Sequence, residues 1–167
     1  IQEVSNRTFP RLERARAEAA LRESEERLRL IIERAQGYAI FTLTADGRVD
    51  SWNPGAAAIF GWSEADILGQ SSGVLFTPED RAADVPRLEL RTAATEGAAP
   101  DVRWHLRRDG SRVFINGINQ ALFDAAGQLR GFVKIGRDVT PQYEAETALR
   151  ESETRLRLAV DAADLGT

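Results

Sequence analysis

The apolar positions of this chain change period along its length. Between residues 10 and 35, apolar or small side chains fall alternately three and four apart, at Leu21, Ser24, Leu28, Ile31 and Ala35. Glu and Arg fill the positions between, and no Gly or Pro follows Pro10, so the spacing predicts a long amphipathic helix. After Gly37 the pattern shortens. Tyr38-Ala-Ile-Phe-Thr-Leu-Thr44 is rich in β-branched and aromatic residues and reads as a strand. Asp46-Gly47 signals a hairpin, and Val49–Trp52 reads as the return strand.

Three helix starts follow, each announced by a polar cap. Asn53-Pro54 opens a short Ala-rich helix that Gly61 stops, and Ser63 opens a second that Gly69 stops. Thr77-Pro78-Glu79-Asp80 opens a third, longer one. Beyond Pro100 the period becomes two: Val102, Trp104 and Leu106 alternate with Arg103, His105 and Arg107. Asp109-Gly110 and Asp124–Gly127 mark two further turns, separating a strand over 113–123 from a last one over 129–139. The order predicts an α+β fold. Its antiparallel sheet has about five strands, small helices cover one face, and long amphipathic helices flank it at both ends.

The flanking helices share a sequence. Residues 20–30 read ALRESEERLRL and residues 148–158 read ALRESETRLRL, ten of eleven positions identical at an offset of 128. Order is kept as well as composition, which points to a module of that length recurring in a longer protein. The second copy repeats the seam at Leu149, Ser152, Leu156, Ala159 and Ala163. Two readings of the seam stand: packing on the chain's own domain, or a parallel coiled-coil homodimer in which Leu21, Leu28, Ile31, Leu149 and Leu156 meet their twins.

Composition narrows the function. The 167 residues carry a net charge of −4, which argues against a nucleic-acid partner. Absence of cysteine removes disulfides, thiolate metal sites and a cysteine nucleophile. No apolar run reaches membrane-spanning length, and a cytoplasmic chain is expected. The chain begins with Ile and contains no Met, and it reads as a segment of something longer.

With these pieces in order, the sequence resembles a PAS domain of the kind found in bacterial sensor histidine kinases. The resemblance covers roughly residues 25–140. It is carried by Asp46-Gly47, Trp52-Asn53-Pro54, Ala58 to Ser63, Ile67-Leu68-Gly69, Phe76 to Asp80, Arg107 to Ser111, Gly131-Phe132-Val133 and Arg137 to Thr140. The repeated helix resembles linkers between tandem PAS modules, and Ile1 through Phe9 and on to Ala20 resembles the tail of a GAF domain. The implied layout is a linker over 1–24, a PAS domain over 25–140, and an exit helix with the start of a second PAS module over 141–167. The parent would be a two-component sensor with a histidine kinase output or, as the rival, a cyclic-dinucleotide enzyme. Its neighbouring GAF, PAS and kinase domains would be partners.

The resemblance implies a sensory role, and the residues offer no catalytic set. There is no Gly-rich phosphate loop and no metal-ligand spacing. His105 is the one histidine, lies in the polar phase of its strand with no local partner, and reads as a surface or sheet-face residue. That leaves heme without a ligand. Light-sensing relatives form an adduct through a cysteine, where Ser72 stands here, and use a glutamine where Gly136 stands. A small-molecule ligand or non-covalent flavin is the remaining cofactor reading, against none. Asn53, Trp62, Trp104, Asn116 and Asn119 are the pocket candidates, each with a plainer reading as helix cap, core aromatic or strand polar group. Asp138 and Thr140 match the Asp-x-Thr motif at which PAS domains hand over to an output helix, and are the expected signal-relay residues.

Overall fold

The computed structural model describes residues 2–166, with side chains over 8–166. Ile1, where the GAF-like segment begins, and Thr167, the end of the expected exit linker, lie outside the described residues. The chain forms two units, Ile1–Gln36 and Gly37–Thr167. The first is helix α1 (Gln2–Arg34). It buries none of its described side chains in a core, and it is laced by local ion pairs such as Arg29 with Glu26 and Glu33.

The second unit is an antiparallel sheet with helices inserted after its first strand. Strand β1 (Tyr38–Thr44) leads through α2 (Pro54–Phe60), α3 (Glu64–Ile67), a 3-10 turn (Ser72–Leu75), α4 (Pro78–Ala82) and α5 (Val85–Glu96). Then come β2 (Ala98–Leu106), β3 (Arg112–Phe123), β4 (Leu129–Asp138) and the exit helix α6 (Thr140–Leu165). The strand order is β1-β4-β3-β2, so the first strand pairs with the last. The two copies of the repeated sequence lie in α1 and α6.

The sheet has four strands rather than about five. Residues 49–52 follow the free edge of β1, and Asp50 N and Asn53 N still donate to its carbonyls, but side chains receive its amides: Ser51 Oγ accepts from Thr42 N and Asn53 Oδ1 from Ile40 N. Leu43–Val49 survives as an isolated bridge, because Val49 turns its own N–H and C=O to Gln70 and Gly69. The long helix expected from Thr77 is also two. Asp84 sits in the left-handed region at φ 59°, and Pro86, with no N–H to continue the earlier turn, starts α5 instead.

One sheet face is buried under α2–α5. Ala39, Phe41 and Leu43 of β1, Val113 and Ile115 of β3 and Phe132 of β4 meet Ile59, Phe60, Ile67, Leu75 and Phe76. Gly117 and Gly136 oppose each other across β3 and β4 on this face. A Cβ at Gly117 would fall 2.6 Å from the Ile135 carbonyl oxygen, so only glycine lets the strands approach there. The other face carries Val102, Phe114, Ile118 and Ile135.

Asn53 fixes β1 to α2. Its Oδ1 accepts from Ile40 N at 2.9 Å and Ala56 N at 2.8 Å, and its Nδ2 donates to Tyr38 O at 3.1 Å. Asn53→Ala removes a cap and a strand contact together and is expected to cost about 2 kcal/mol. Ser63→Ala, which uncaps only α3, should cost about 1 kcal/mol. Urea unfolding of the two variants tests the ranking.

Candidate functional site

Strand β2 brings charge into the core. Its inward residues are Ala99, Asp101, Arg103 and His105, while Val102 is 52% exposed on the opposite face. The polar phase of the alternation is the buried one, and His105, expected at the surface or on a sheet face, is 1% exposed. Beta4 contributes Lys134 to the same face, across from Asn119 of β3, and α5 lowers Glu89 onto them.

Lys134 Nζ lies 2.7 Å from Glu89 Oε1 and 2.8 Å from Asp101 Oδ2, and it faces the Phe76 ring at 4.9 Å. Asp101 also accepts from Arg103 Nε at 3.0 Å and meets His105 Nε2 at 2.9 Å. Arg103 reaches outward to Asp80 at 3.7 Å. Asn119 Nδ2 donates to Glu89 Oε1 at 3.1 Å, leaving Asn119 Oδ1 and Glu89 Oε2 buried without a hydrogen-bond partner.

The pKa directions follow from this packing. Burial opposes the Asp101 carboxylate, but the Lys134 ammonium and the His105 ring more than reverse it, and its pKa falls well below the usual carboxylate range. Burial also opposes the Lys134 ammonium. Asp101 and Glu89 outweigh it and raise the lysine pKa. For Glu89 burial wins, and its pKa is raised despite Lys134.

Against this cluster sits a cavity of about 10 Å³, lined by Asp101, His105 and Lys134 with Phe41, Phe60 and Leu75 among its apolar walls. That is room for about one water, whereas drug-sized ligands occupy several hundred Å³. A flavin ring system does not fit it. The space between the Glu89 and Asp101 carboxylates is already filled by an ammonium. Both His105 nitrogens lie within hydrogen-bond distance of protein oxygens, so neither is free to meet a heme iron.

Of the five pocket candidates, only Asn119 joins the buried cluster and none lines this cavity, while Trp104 lines a more open one of about 370 Å³ beside Asp80 and Arg103. Asn53 is the β1–α2 clip. Trp62 lies under the Arg108 guanidinium, 5.1 Å from its ring centre, and its carbonyl accepts from Trp52 Nε1. Asn116 is exposed on the outer face. Trp104 packs there too, with Phe114 and Tyr143 of α6 at centroid distances of 5.2 and 5.3 Å. Glu89, Asp101 and Lys134 belong to no motif that the sequence pattern marks out. The signal that could have found them was two acids and a lysine in segments otherwise patterned to pack.

Asp138 and Thr140 come together with Arg107 and Phe114. Asp138 Oδ1 accepts from Thr140 N at 2.9 Å and from Thr140 Oγ1 at 2.6 Å. Arg107 Nη2 reaches Asp138 Oδ2 at 3.3 Å, while its Nε donates to Ile59 O and its Nη1 to Arg112 O. The Thr140 hydroxyl accepts from Phe114 N at 2.9 Å, and the α6 start has no side-chain cap. Tyr143, one turn into α6, stacks on Phe114 at 4.0 Å.

A family profile for the PAS fold matches residues 26–139. Two-component system protein A of Emericella nidulans is 35% identical over 135 residues, which is 79% of this chain and 20% of that protein. The chain therefore spans about a fifth of the length of that curated relative. Among solved structures, a PAS domain from Colwellia psychrerythraea superposes with a TM-score of 0.64 at 21% identity, over 70% of this chain and 97% of that one. A domain of a sensory box sensor histidine kinase/response regulator from Geobacter sulfurreducens gives 0.60 at 20% identity, over 71% and 96%. No described helix is long and apolar enough to cross a membrane.

Two predictions test the cluster. Lys134→Met strands Glu89 and Asp101 and should cost about 3–5 kcal/mol in chemical unfolding, whereas Glu89→Gln, which keeps shape and removes the carboxylate that burial disfavours, should cost clearly less. Asp101 has a folded-state pKa below its unfolded value of about 3.9. The stability it lends is therefore present above about pH 4 and lost as pH falls further. Between about pH 5 and about pH 3 the native chain should lose more stability than Asp101→Asn.

Proposed function

The chain belongs to the PAS family, and we propose that it is a non-catalytic sensory and signal-relay module of a multi-domain two-component protein with a histidine kinase output. In this reading residues 1–24 are a linker continuing from a GAF domain. Residues 25–140 are the sensory domain, and residues 141–167 carry the signal towards a second PAS module. The observation that supports it best is the junction at α6. Asp138 is held by Arg107 and holds Thr140, and Thr140 holds the Phe114 amide of the neighbouring strand. Three strands and an inserted helix thus end on the first turn of the exit helix. A sheet displacement would be transmitted as a change in its pitch or rotation. The small size of the cavity beside the buried cluster argues against a flavin at that place.

The same reading makes the flanking helices a parallel homodimer contact. Leu21, Leu28 and Ile31 of α1 and Leu149 and Leu156 of α6 are each more than half exposed in a repeat-matched seam. Covering them with a second copy removes apolar surface worth about 25 cal/mol per Å².

Two experiments test these halves. In the full-length protein, Asp138→Ala should leave the output deaf to its stimulus, and an output that still responds fully overturns the relay. By sedimentation, Leu28→Glu should shift the chain from dimer towards monomer. An unchanged profile overturns the seam.

A further inference from the structure

The ring of His105 faces an acceptor at each nitrogen. Nδ1 lies 3.0 Å from the carbonyl oxygen of Leu75, and Nε2 lies 2.9 and 3.1 Å from the two oxygens of Asp101. A carbonyl has no hydrogen to give. Asp101, bonded by Lys134 and Arg103 as well, is ionised and has none either. A neutral imidazole carries one N–H and can satisfy one of these partners, whereas the imidazolium donates to both.

The charge count leads to the same state. Facing His105 or joined to its partners are Asp101 and Arg103 of its own strand, Lys134 of β4, Glu89 of α5 and Asp80 of α4. Three carboxylates meet two cations, so one further proton makes the cluster neutral. Glu89 is the rival place for it, and burial does favour its protonated form. Yet Glu89 Oε2 has no hydrogen-bond partner, while each nitrogen of His105 lies within hydrogen-bond distance of an acceptor. A buried ion cluster is tolerable when its charges are paired, and it is disrupted when one is withdrawn.

We propose that His105 is a proton-binding site and that the bound proton is the input of this sensory module. This rests on the relay reading above and supplies the ligand class that a cavity of one water's size still admits. With the proton bound, the ring ties the 3-10 turn, through Leu75, to Asp101 of β2. When the proton leaves to solvent, one ring nitrogen sets a lone pair against a buried acceptor, and that tie opens. Two residues along the chain, Arg107 holds Ile59 O, Arg112 O and Asp138, so loosening at His105 adjoins the grip on α6.

The chain's single histidine makes the test direct, because its ring signals need no assignment. Nitrogen-15 NMR of the native chain is recorded from about pH 5 to about pH 9, the range that brackets imidazole titration. At the low end both ring nitrogens should carry slowly exchanging hydrogens, and one should be lost within the range. A ring that is neutral throughout overturns the proposal, and so does one that never releases its second hydrogen. Over the same range the hydrogen-exchange protection factors of the Phe114 and Thr140 amides should fall at least about fivefold as the ring deprotonates. In His105→Gln they should not track pH in this way. Ring titration with no change at these two amides overturns the input role while leaving the Asp138 relay standing. Loss of relay in Asp138→Ala is read from output at constant pH, so the two failures are distinguishable.

Discussion

Lys134 is an ammonium taken fully out of water, and the centre of this domain is arranged so that it never stands alone. An unpaired charge in such a place costs far more than any single packing contact returns. Its two carboxylates come from different elements, Glu89 from a helix and Asp101 from the edge strand β2. Pairing the lysine therefore ties α5 to β2 and β4 at once. Each carboxylate then needs further donors, which Asn119, Arg103 and His105 supply. The hydrophobic core surrounds this group and shuts out solvent, which strengthens every attraction within it.

That same cluster explains where the sequence was readable and where it was not. Turn and cap chemistry is local, so it could be read directly. The structure places Asn53, Ser63 and Thr77 as helix caps, and Asp46-Gly47 and Asp109-Gly110 in turns with the glycines at positive φ. Alternation along β2 was also read correctly as a strand, but a period of two defines two faces without saying which is inside. Hydropathy assigned Val102 and Trp104 to the core. The ions of the buried face make the opposite phase the inner one, and Trp104 serves the exit helix on the outer side. The partners of the buried Glu89 carboxylate lie 30 and 45 residues away in the chain. No local pattern carries that information.

The lost fifth strand has a related cause. Residues 49–52 have strand-like composition, but Ser51 and Asn53 give side-chain oxygens to the amides of β1, and Val49 bonds to the 69–70 turn. Composition reports that a segment suits an extended shape. It does not report whether backbone or side chain will complete a neighbour's ladder. Asn53 illustrates the ambiguity, since the polarity that suggested a pocket is spent on backbone groups of β1 and α2.

The end of β2 and the start of α6 are gripped from both faces of the sheet. On the inner side Arg107 clamps Asp138, and on the outer side Trp104 and Phe114 enclose Tyr143. A helix held on one face alone could pivot to absorb a small strand movement. Held on both, with Thr140 bonded to the Phe114 amide between them, the first turn of α6 has little freedom to yield locally. Packed cores switch between discrete arrangements more readily than they deform continuously. In the proposed relay, a displacement of β2 at His105 would pass to the orientation of the exposed remainder of α6. The proton proposed at His105 is small, but it would decide whether a neutral cluster with both ring nitrogens satisfied or a frustrated one sits at the root of that strand.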